Sequence, residues 1–327
     1  GVIWVLMLLV QMVPFQLLMI PLYVQITRSY GLGDSYLGMI LPFLINTTAV
    51  FIFVQFFKAL PAEIFEAART IKESGAAPCG LTSTWLTWIG LENFAAWNNL
   101  QYGTNENGLA GSDVELKINE GQFVTHFQNI ADLAADDTFR YGGRTSEAKQ
   151  LFLSGECAIM TESSGGLGDV INSGMNYGLG QLPYYPEAEG APQNTIPGGA
   201  SLWVFDGKSD EEYEGVAAFF EFLSQTEIQS RLHQVSGYLP VTLAAYEATK
   251  ESGFYEENPG REIPISQMMG KEPTENSRGV RLVNLPQIRD IQNEEFERML
   301  AGQQTAQEAL DRAVERGNAA IQEALGN

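Results

Sequence analysis

Two long stretches without a charged side chain open the sequence, and nothing else in it restricts the fold as strongly. Residues 1–27 include GVIWVLMLLVQMVPFQLLMIPLYV, and residues 35–57 include YLGMILPFLINTTAVFIFVQFF. Each is long enough to cross about 30 Å of hydrocarbon as a helix. Pro14, Pro21 and Pro42 are tolerated in such helices, because neighbouring groups take up the backbone bonds they free. Two transmembrane helices are therefore expected, with two buried core helices as the alternative. A cleaved signal peptide fits less well, since no basic segment precedes the first run and no small-residue cleavage site precedes the second. After the second run, KALPAEIFEAARTIKESG (58–75) opens basic and then reads as a short amphipathic helix with Ile64, Phe65 and Ala68 on one side. Its cationic flank favours the cytoplasmic side.

Charge divides the chain unevenly. Up to residue 75, Arg28, Lys58, Arg69 and Lys72 balance Asp34, Glu63, Glu66 and Glu73, so the net −21 of the whole chain lies entirely beyond that point. So acidic a part repels nucleic acid, whose binding begins with Lys and Arg on phosphate, and nucleic acid is excluded as a partner. Two cysteines, Cys79 and Cys157, make either one disulfide or two inert thiols, and they bridge if their Cα atoms lie within about 7 Å. Neither has a CxxC partner or a nearby histidine, which argues against zinc. His126 and His233 are far apart in sequence and Ser163 has no histidine close to it in the chain, so an enzyme is not expected, and no cofactor is implied.

From Pro78 onward strand-like and helix-like pieces alternate. Helices are expected at 85–98, in QFVTHFQNIADLAAD, in EEYEGVAAFFEFLSQ, and over 293–325 with a break near Gly302. CAIM, YGLGQLPYY and ASLWVF read as strands. Such alternation predicts an α/β domain. Within it, CAIMTESSGGLGDVI (157–171) is an apolar run, a Ser/Gly turn and a helix start. Exposed N–H groups, hydroxyls and bare glycines at that place suit an anion, although the same letters also describe a plain loop.

Particular motifs carry two resemblances. LPAEIFEAAR (60–69), behind the apolar runs, resembles the cytoplasmic loop with which carbohydrate-type ABC importer permeases dock on their ATPase. That implies docking through Glu66, Ala67 and Ala68, but Lys72 stands where that family carries glycine and the likeness stops near Arg69. From about Ile71 to the end, WIGLENFAAWNN, LFLSGECAIMTESSGGL, APQNTIPGGASLWV, SGYLPVTLAAY, GFYEENPG, RLVNLPQIR and ALDRAVERGN resemble the periplasmic glycerol 3-phosphate-binding proteins of ABC importers. The combined resemblance implies two portions. Residues 1–75 would be two transmembrane helices and a permease-type loop, and residues 76–327 an incomplete type II periplasmic-binding-protein fold of α/β class lacking the first part of one lobe. It implies ABC permease subunits and an ATPase as partners, with the membrane reached through residues 1–57. It also carries a conflict: a cytoplasmic loop at 58–75 would put the binding portion on the wrong side of the membrane from its ligand.

For sn-glycerol 3-phosphate or a related glycerophosphodiester the resemblance implies six contacts. Ser163 would offer a hydroxyl, supported by the amides of residues 164–166. Gly199 would bring a bare N–H close, Tyr238 would give a phenolic hydrogen bond, and Arg289 would fork onto phosphate. Trp85 and Trp88 would form an apolar wall. Each has a plainer reading: the two tryptophans as one core-facing helix side, Arg289 with Asp290 as a surface ion pair, Tyr238 as a turn aromatic and Gly199 as a tight turn.

Overall fold

The protein, seen here as a computed structural model, is described over residues 62–326, together with Arg28. The chain divides into two units, 1–60 and 61–327, and the described elements belong to the second. The membrane helices expected within 1–57 lie outside the described residues. Among the described residues no helix is long and apolar enough to cross a membrane.

Helix α1 (Ala62–Glu73) precedes a three-stranded parallel sheet of β1 (Cys79–Ser83), β2 (Phe139–Arg140) and β3 (Cys157–Thr161), in the order β2-β1-β3. All five residues of β1 are buried, as a central parallel strand with helices packed on it requires. Leu81 faces Phe139 on one side and Ile159 on the other. After β1 a wide π-helical turn, Trp88–Asn93, leads into α2 (Phe94–Trp97). Helix α3 (Gln122–Ala135) buries Phe123, Phe127, Ile130 and Leu133 at helical spacing. α4 (Lys149–Leu153) packs on β3, and α5 (Leu167–Asn172) follows the Ser/Gly turn. Beyond Pro192 come α6 (Asp210–Ser224), α7 (Thr226–Ser236), α8 (Leu243–Glu251), α9 (Phe254–Glu257) and α10 (Ile263–Met269), and then the helical pair α11 (Leu285–Leu300) and α12 (Ala306–Leu325).

The core joins these layers through α3, which packs against α1 and β2 on one side and against α11 and α12 on the other. Phe127 stacks on Phe296 at 4.3 Å between ring centroids. The break between α11 and α12 falls at Gly302 (φ 70), the expected place, and a capping box between Thr305 and Glu308 restarts the helix. Small buried residues on α12 (Ala306, Ala309, Ala313, Gly317) let it lie close to its neighbours.

Two expectations need correction. The amphipathic helix that resembles an ATPase-docking loop is part of this core: Phe65 and Ala68 are buried, and a Cβ at Gly80 would stand 2.1 Å from the carbonyl oxygen of Ala68, so α1 lies backbone-close on β1. Glu66 and Ala67 are exposed, but Ala68 cannot meet a partner. The boundary between the two units falls before α1. YGLGQLPYY and ASLWVF do not form strands. In the first, side chains take the hydrogen bonds a neighbouring strand would supply: the Leu182 N–H donates to Gln267 Oε1 at 2.6 Å, the Tyr185 N–H donates to Asn98 Oδ1 at 2.6 Å, and Trp97 Nε1 donates to the Leu182 carbonyl at 2.9 Å. The second takes no regular secondary structure and has no strand beside it among the described residues.

Candidate functional site

The Ser/Gly turn follows β3 directly. Ser163 is extended (φ −63, ψ 142) and caps a single 3₁₀ turn, Ser164–Gly166, its Oγ accepting from the Gly165 N–H at 3.3 Å. The Gly166 N–H donates to the Ser163 carbonyl at 2.9 Å. Two of the three amides expected to face an anion are therefore spent inside the turn, and the Ser163 hydroxyl proton is left to donate outward. The preceding Glu162 anchors the turn. Its Oε1 accepts from the Ser163 N–H at 2.7 Å and from Thr84 Oγ1 at 2.8 Å, while its Oε2 is enclosed without a hydrogen bond. The nearest cation, Lys149 Nζ, stands 3.9 Å away and donates to Asp169 at 2.7 Å. Burial holds the Glu162 carboxyl above its ordinary value.

Tyr238 closes over this turn. Gly237 has φ 80, and a Cβ there would reach 2.4 Å from the Ser164 carbonyl oxygen, so only glycine permits this approach. His233 fixes the Tyr238 backbone: its Nδ1 lies 2.6 Å from the Tyr238 carbonyl oxygen, which can only accept, so Nδ1 carries the proton. Burial lowers the pKa of His233, and the neutral ring's Nε2 accepts from the Tyr255 hydroxyl at 3.0 Å. Both nitrogens are thus engaged in structure. His126 is stacked on Phe94 at 3.9 Å, its pKa pushed down to about 3 by burial. Neither imidazole is hydrogen-bonded to Ser163.

The Tyr238 ring lies between two glycines. An added Cβ would be 3.0 Å from the ring at Gly165 and 3.5 Å at Gly199. Gly199 has φ 116, a conformation nearly confined to glycine. Its neighbour Gly198 lies against the Trp88 indole, 2.3 Å from Cζ2 to an added Cβ. The loop holding both glycines is tied to the tryptophan segment: the Gln193 N–H donates to the Trp97 carbonyl at 2.7 Å, and the Ile196 N–H donates to Asn93 Oδ1 at 3.0 Å. Ser163, Gly199, Tyr238 and Trp88 therefore form one run of contacts.

Trp85 departs from the expected helix side. It has φ 47, left-handed and strained for a bulky residue, and precedes the helical turn, its carbonyl accepting from the Trp88 N–H at 2.8 Å. It is more exposed than Trp88, so the plain core reading does not hold for it.

Arg289, in the second turn of α11, does not present its fork outward. Its Nε and Nη2 donate to the two carboxylate oxygens of Glu92, each at 2.6 Å. Glu92 is buried, and its hydrogen bonds hold the guanidinium pKa above the ordinary arginine value. Among the described residues Nη1 has no hydrogen-bond partner. Asp290 instead lies 3.8 Å from Arg144, so the alternative Arg289–Asp290 surface pair is not formed. Glu92 and Glu162 are the site residues that sequence reasoning missed. Glu162 stood inside the quoted TESSGG motif, whereas Glu92 meets an arginine 197 positions away and left no local signal.

The cysteines pair as a disulfide, joining Cys79 and Cys157 at directly opposed positions of β1 and β3 with Cα atoms 4.4 Å apart. A partly open cavity of about 50 Å³ beside His126 and Phe94 includes none of the six candidate contacts.

Residues 35–263 match the family of bacterial extracellular solute-binding proteins. The chain is 77% identical over 265 residues to the sn-glycerol-3-phosphate-binding periplasmic protein UgpB of Rhizobium meliloti, covering 81% of this chain and 61% of that protein. To the protein of the same name from Yersinia enterocolitica it is 45% identical over 257 residues, 78% of this chain and 58% of the relative. The chain thus spans about three fifths of the length of the curated relatives it matches. Among solved structures, a maltose/maltodextrin-binding domain from Bdellovibrio bacteriovorus bound to maltotriose superposes with a TM-score of 0.58 at 19% identity over 81% of this chain and 67% of its own. UgpB from Mycobacterium tuberculosis in complex with glycerophosphocholine superposes with a TM-score of 0.57 at 17% identity, over 76% of this chain and 59% of its own. The α/β layering around a parallel sheet and the extent of the family match agree: the chain belongs to the bacterial extracellular solute-binding proteins.

Proposed function

We propose that the chain is the larger part of a periplasmic binding component for sn-glycerol 3-phosphate or a related glycerophosphodiester. It captures the ligand without bond chemistry by closure of lobes and hands it to the permease subunits and ATPase of an ABC importer. The observation that carries this reading is the seating of Tyr238 between Gly165 and Gly199, with Trp88 against Gly198. A flat indole suits the carbon backbone of a small polyol phosphate. The Ser163 hydroxyl, the Ser164 amide and the free Nη1 of Arg289 are the donors for its phosphate oxygens, and the Tyr238 phenol serves a hydroxyl. Strain at Trp85 is of the kind that gathers at ligand sites. The relatives named above supply the ligand class.

The net charge of −21 does not oppose an anionic ligand. Exposed carboxylates beyond about 8–10 Å are largely screened at physiological salt, and the two carboxylates bonded to candidate contacts, Glu92 and Glu162, are held by Arg289, Thr84 and the Ser163 amide. The permease resemblance of residues 1–69 adds nothing to this reading, since its docking helix is packed inside the domain.

Calorimetric titration of the 327-residue chain with sn-glycerol 3-phosphate and with glycerophosphocholine tests the proposal. Binding of at least one is expected, weakened tenfold or more, about 1.4 kcal/mol, in both Tyr238→Phe and Arg289→Ala. Absence of heat with millimolar ligand, or full affinity in both variants, overturns it.

A further inference from the structure

Both groups assigned to hold phosphate are backed by a carboxylate that solvent barely reaches. Glu92, its side chain 2% exposed, takes Nε and Nη2 of Arg289 at 2.6 Å each. Glu162, its side chain 10% exposed, takes the Ser163 amide at 2.7 Å. The cations around these two carboxylates leave no excess positive charge. Glu92 offsets Arg289, and Lys149, 3.9 Å from Glu162 Oε2, donates to Asp169 at 2.7 Å. Arg261, whose charge acts on His233, lies over the Phe254 ring and donates to the Gln234 carbonyl at 2.7 Å. Tyr102 faces both members of the Glu92–Arg289 pair. It is a neutral phenol, its pKa held well above the ordinary value by burial and by Glu92, and it accepts from Gln292 Nε2 at 2.6 Å.

Resting on the ligand site proposed above, we infer that Glu92 and Glu162 are specificity-determining residues: by offsetting the positive charge at the phosphate donors they make the site take a phosphate bearing one negative charge and disfavour one bearing two. Attraction to a fixed set of donors grows in proportion to the charge of the ligand, whereas the cost of stripping water from that charge grows with its square. An unpaired arginine would supply the difference for a dianion. An arginine already forked onto Glu92 does not. Repulsion from the two carboxylates also doubles for a dianion, and both lie too deep for salt to screen them well. The ligand class follows from this balance. A phosphodiester is singly charged and fits, while a monoester fits only as long as it keeps its second proton, which is lost near about pH 6. At neutral pH the preferred ligand is therefore a glycerophosphodiester, and sn-glycerol 3-phosphate competes poorly with it.

The test is the pH dependence of two affinities of the 327-residue chain, for sn-glycerol 3-phosphate and for glycerophosphocholine, measured by calorimetry. Glycerophosphocholine keeps both of its charges across the range, so its affinity reports the titration of Glu162, His233 and other protein groups. The ratio of the two affinities then isolates the charge of the ligand. Between about pH 5.5 and 8 the ratio should move about tenfold or more toward glycerophosphocholine, as the monoester sheds its second proton. Glu92→Gln keeps the shape of the side chain and removes its charge, and should shrink that shift to about threefold or less. Glu162→Gln acts in the same direction and serves should the first variant misfold. A ratio that stays constant or moves toward sn-glycerol 3-phosphate overturns the inference and leaves the ligand site standing. So does binding of sn-glycerol 3-phosphate alone at the upper end of the range, or a shift that neither variant reduces. Absence of binding by either ligand at every pH overturns the ligand site itself, and this inference with it.

Discussion

Glu162 is a buried carboxylate with one oxygen satisfied twice and the other not at all. The groups facing it are Thr84, the Ser163 amide, Lys149 and Asp169, and burial outweighs the donors and raises its pKa. A raised folded-state pKa means that the folded protein holds the proton more tightly than the unfolded chain. The stability this contributes is complete below the ordinary carboxylate value and is lost as pH rises through the raised value. His126 and His233, held below the ordinary histidine value, add stability as pH rises over the same range, so the Glu162 contribution is read as a difference: urea unfolding between pH 4 and 8 should show the stability of Glu162→Gln rising relative to wild type. An unchanged pH slope in the variant contradicts this. Ser163, Gly199 and Tyr238 were named through the motifs that carry the resemblance, and the structure brings them into one run of contacts through Gly165. The commitment of Arg289 was not legible, since the sequence shows a free guanidinium and only the fold brings Glu92 to both of its donors.

At the scale of elements, amphipathic spacing located the helices well. It located α1 too, with Ile64, Phe65 and Ala68 on one side, but spacing says that a face is buried and not what it is buried against. Phe65→Ala tests the packing found here. Filling a core place beside β1 and α3, Phe65 should cost about 3–5 kcal/mol on truncation, measured by urea unfolding of the disulfide-bonded chain. A loss below about 1 kcal/mol would return α1 to the status of an appended loop. Strands fared differently. CAIM became β3 because β1 is there to pair with it, whereas YGLGQLPYY gave its backbone bonds to Asn98 and Gln267, and ASLWVF has no strand beside it among the described residues. Pairing is a property of two segments, and period-two apolar patterning reports on one.

Over the whole molecule, the Cys79–Cys157 bridge closes a loop of 78 positions that contains α3, β2 and α4. Loop-closure entropy assigns such a link about 4 kcal/mol, less any loosening of native packing. Both cysteines are buried, so a Cys79→Ala/Cys157→Ala double variant is the cleaner probe than added reductant. A fall in unfolding free energy of about 2–4 kcal/mol is expected, and a fall below 1 kcal/mol would show that the sheet holds its register without the bridge. By itself the sequence determined the α/β class, the helices with strong periodicity, the break at Gly302, the acidic balance beyond residue 75, and the motifs that carry the family resemblance. All of these are set by residues close together in the chain or by simple counts. Only the tertiary structure decided that α1 lies in the core, that the cysteines face each other across β1 and β3, that Tyr238 sits between Gly165 and Gly199, and that Glu92 takes the fork of Arg289. Each of those joins segments tens to hundreds of positions apart, where burial and hydrogen-bond satisfaction choose the partner and local sequence carries no record of the choice.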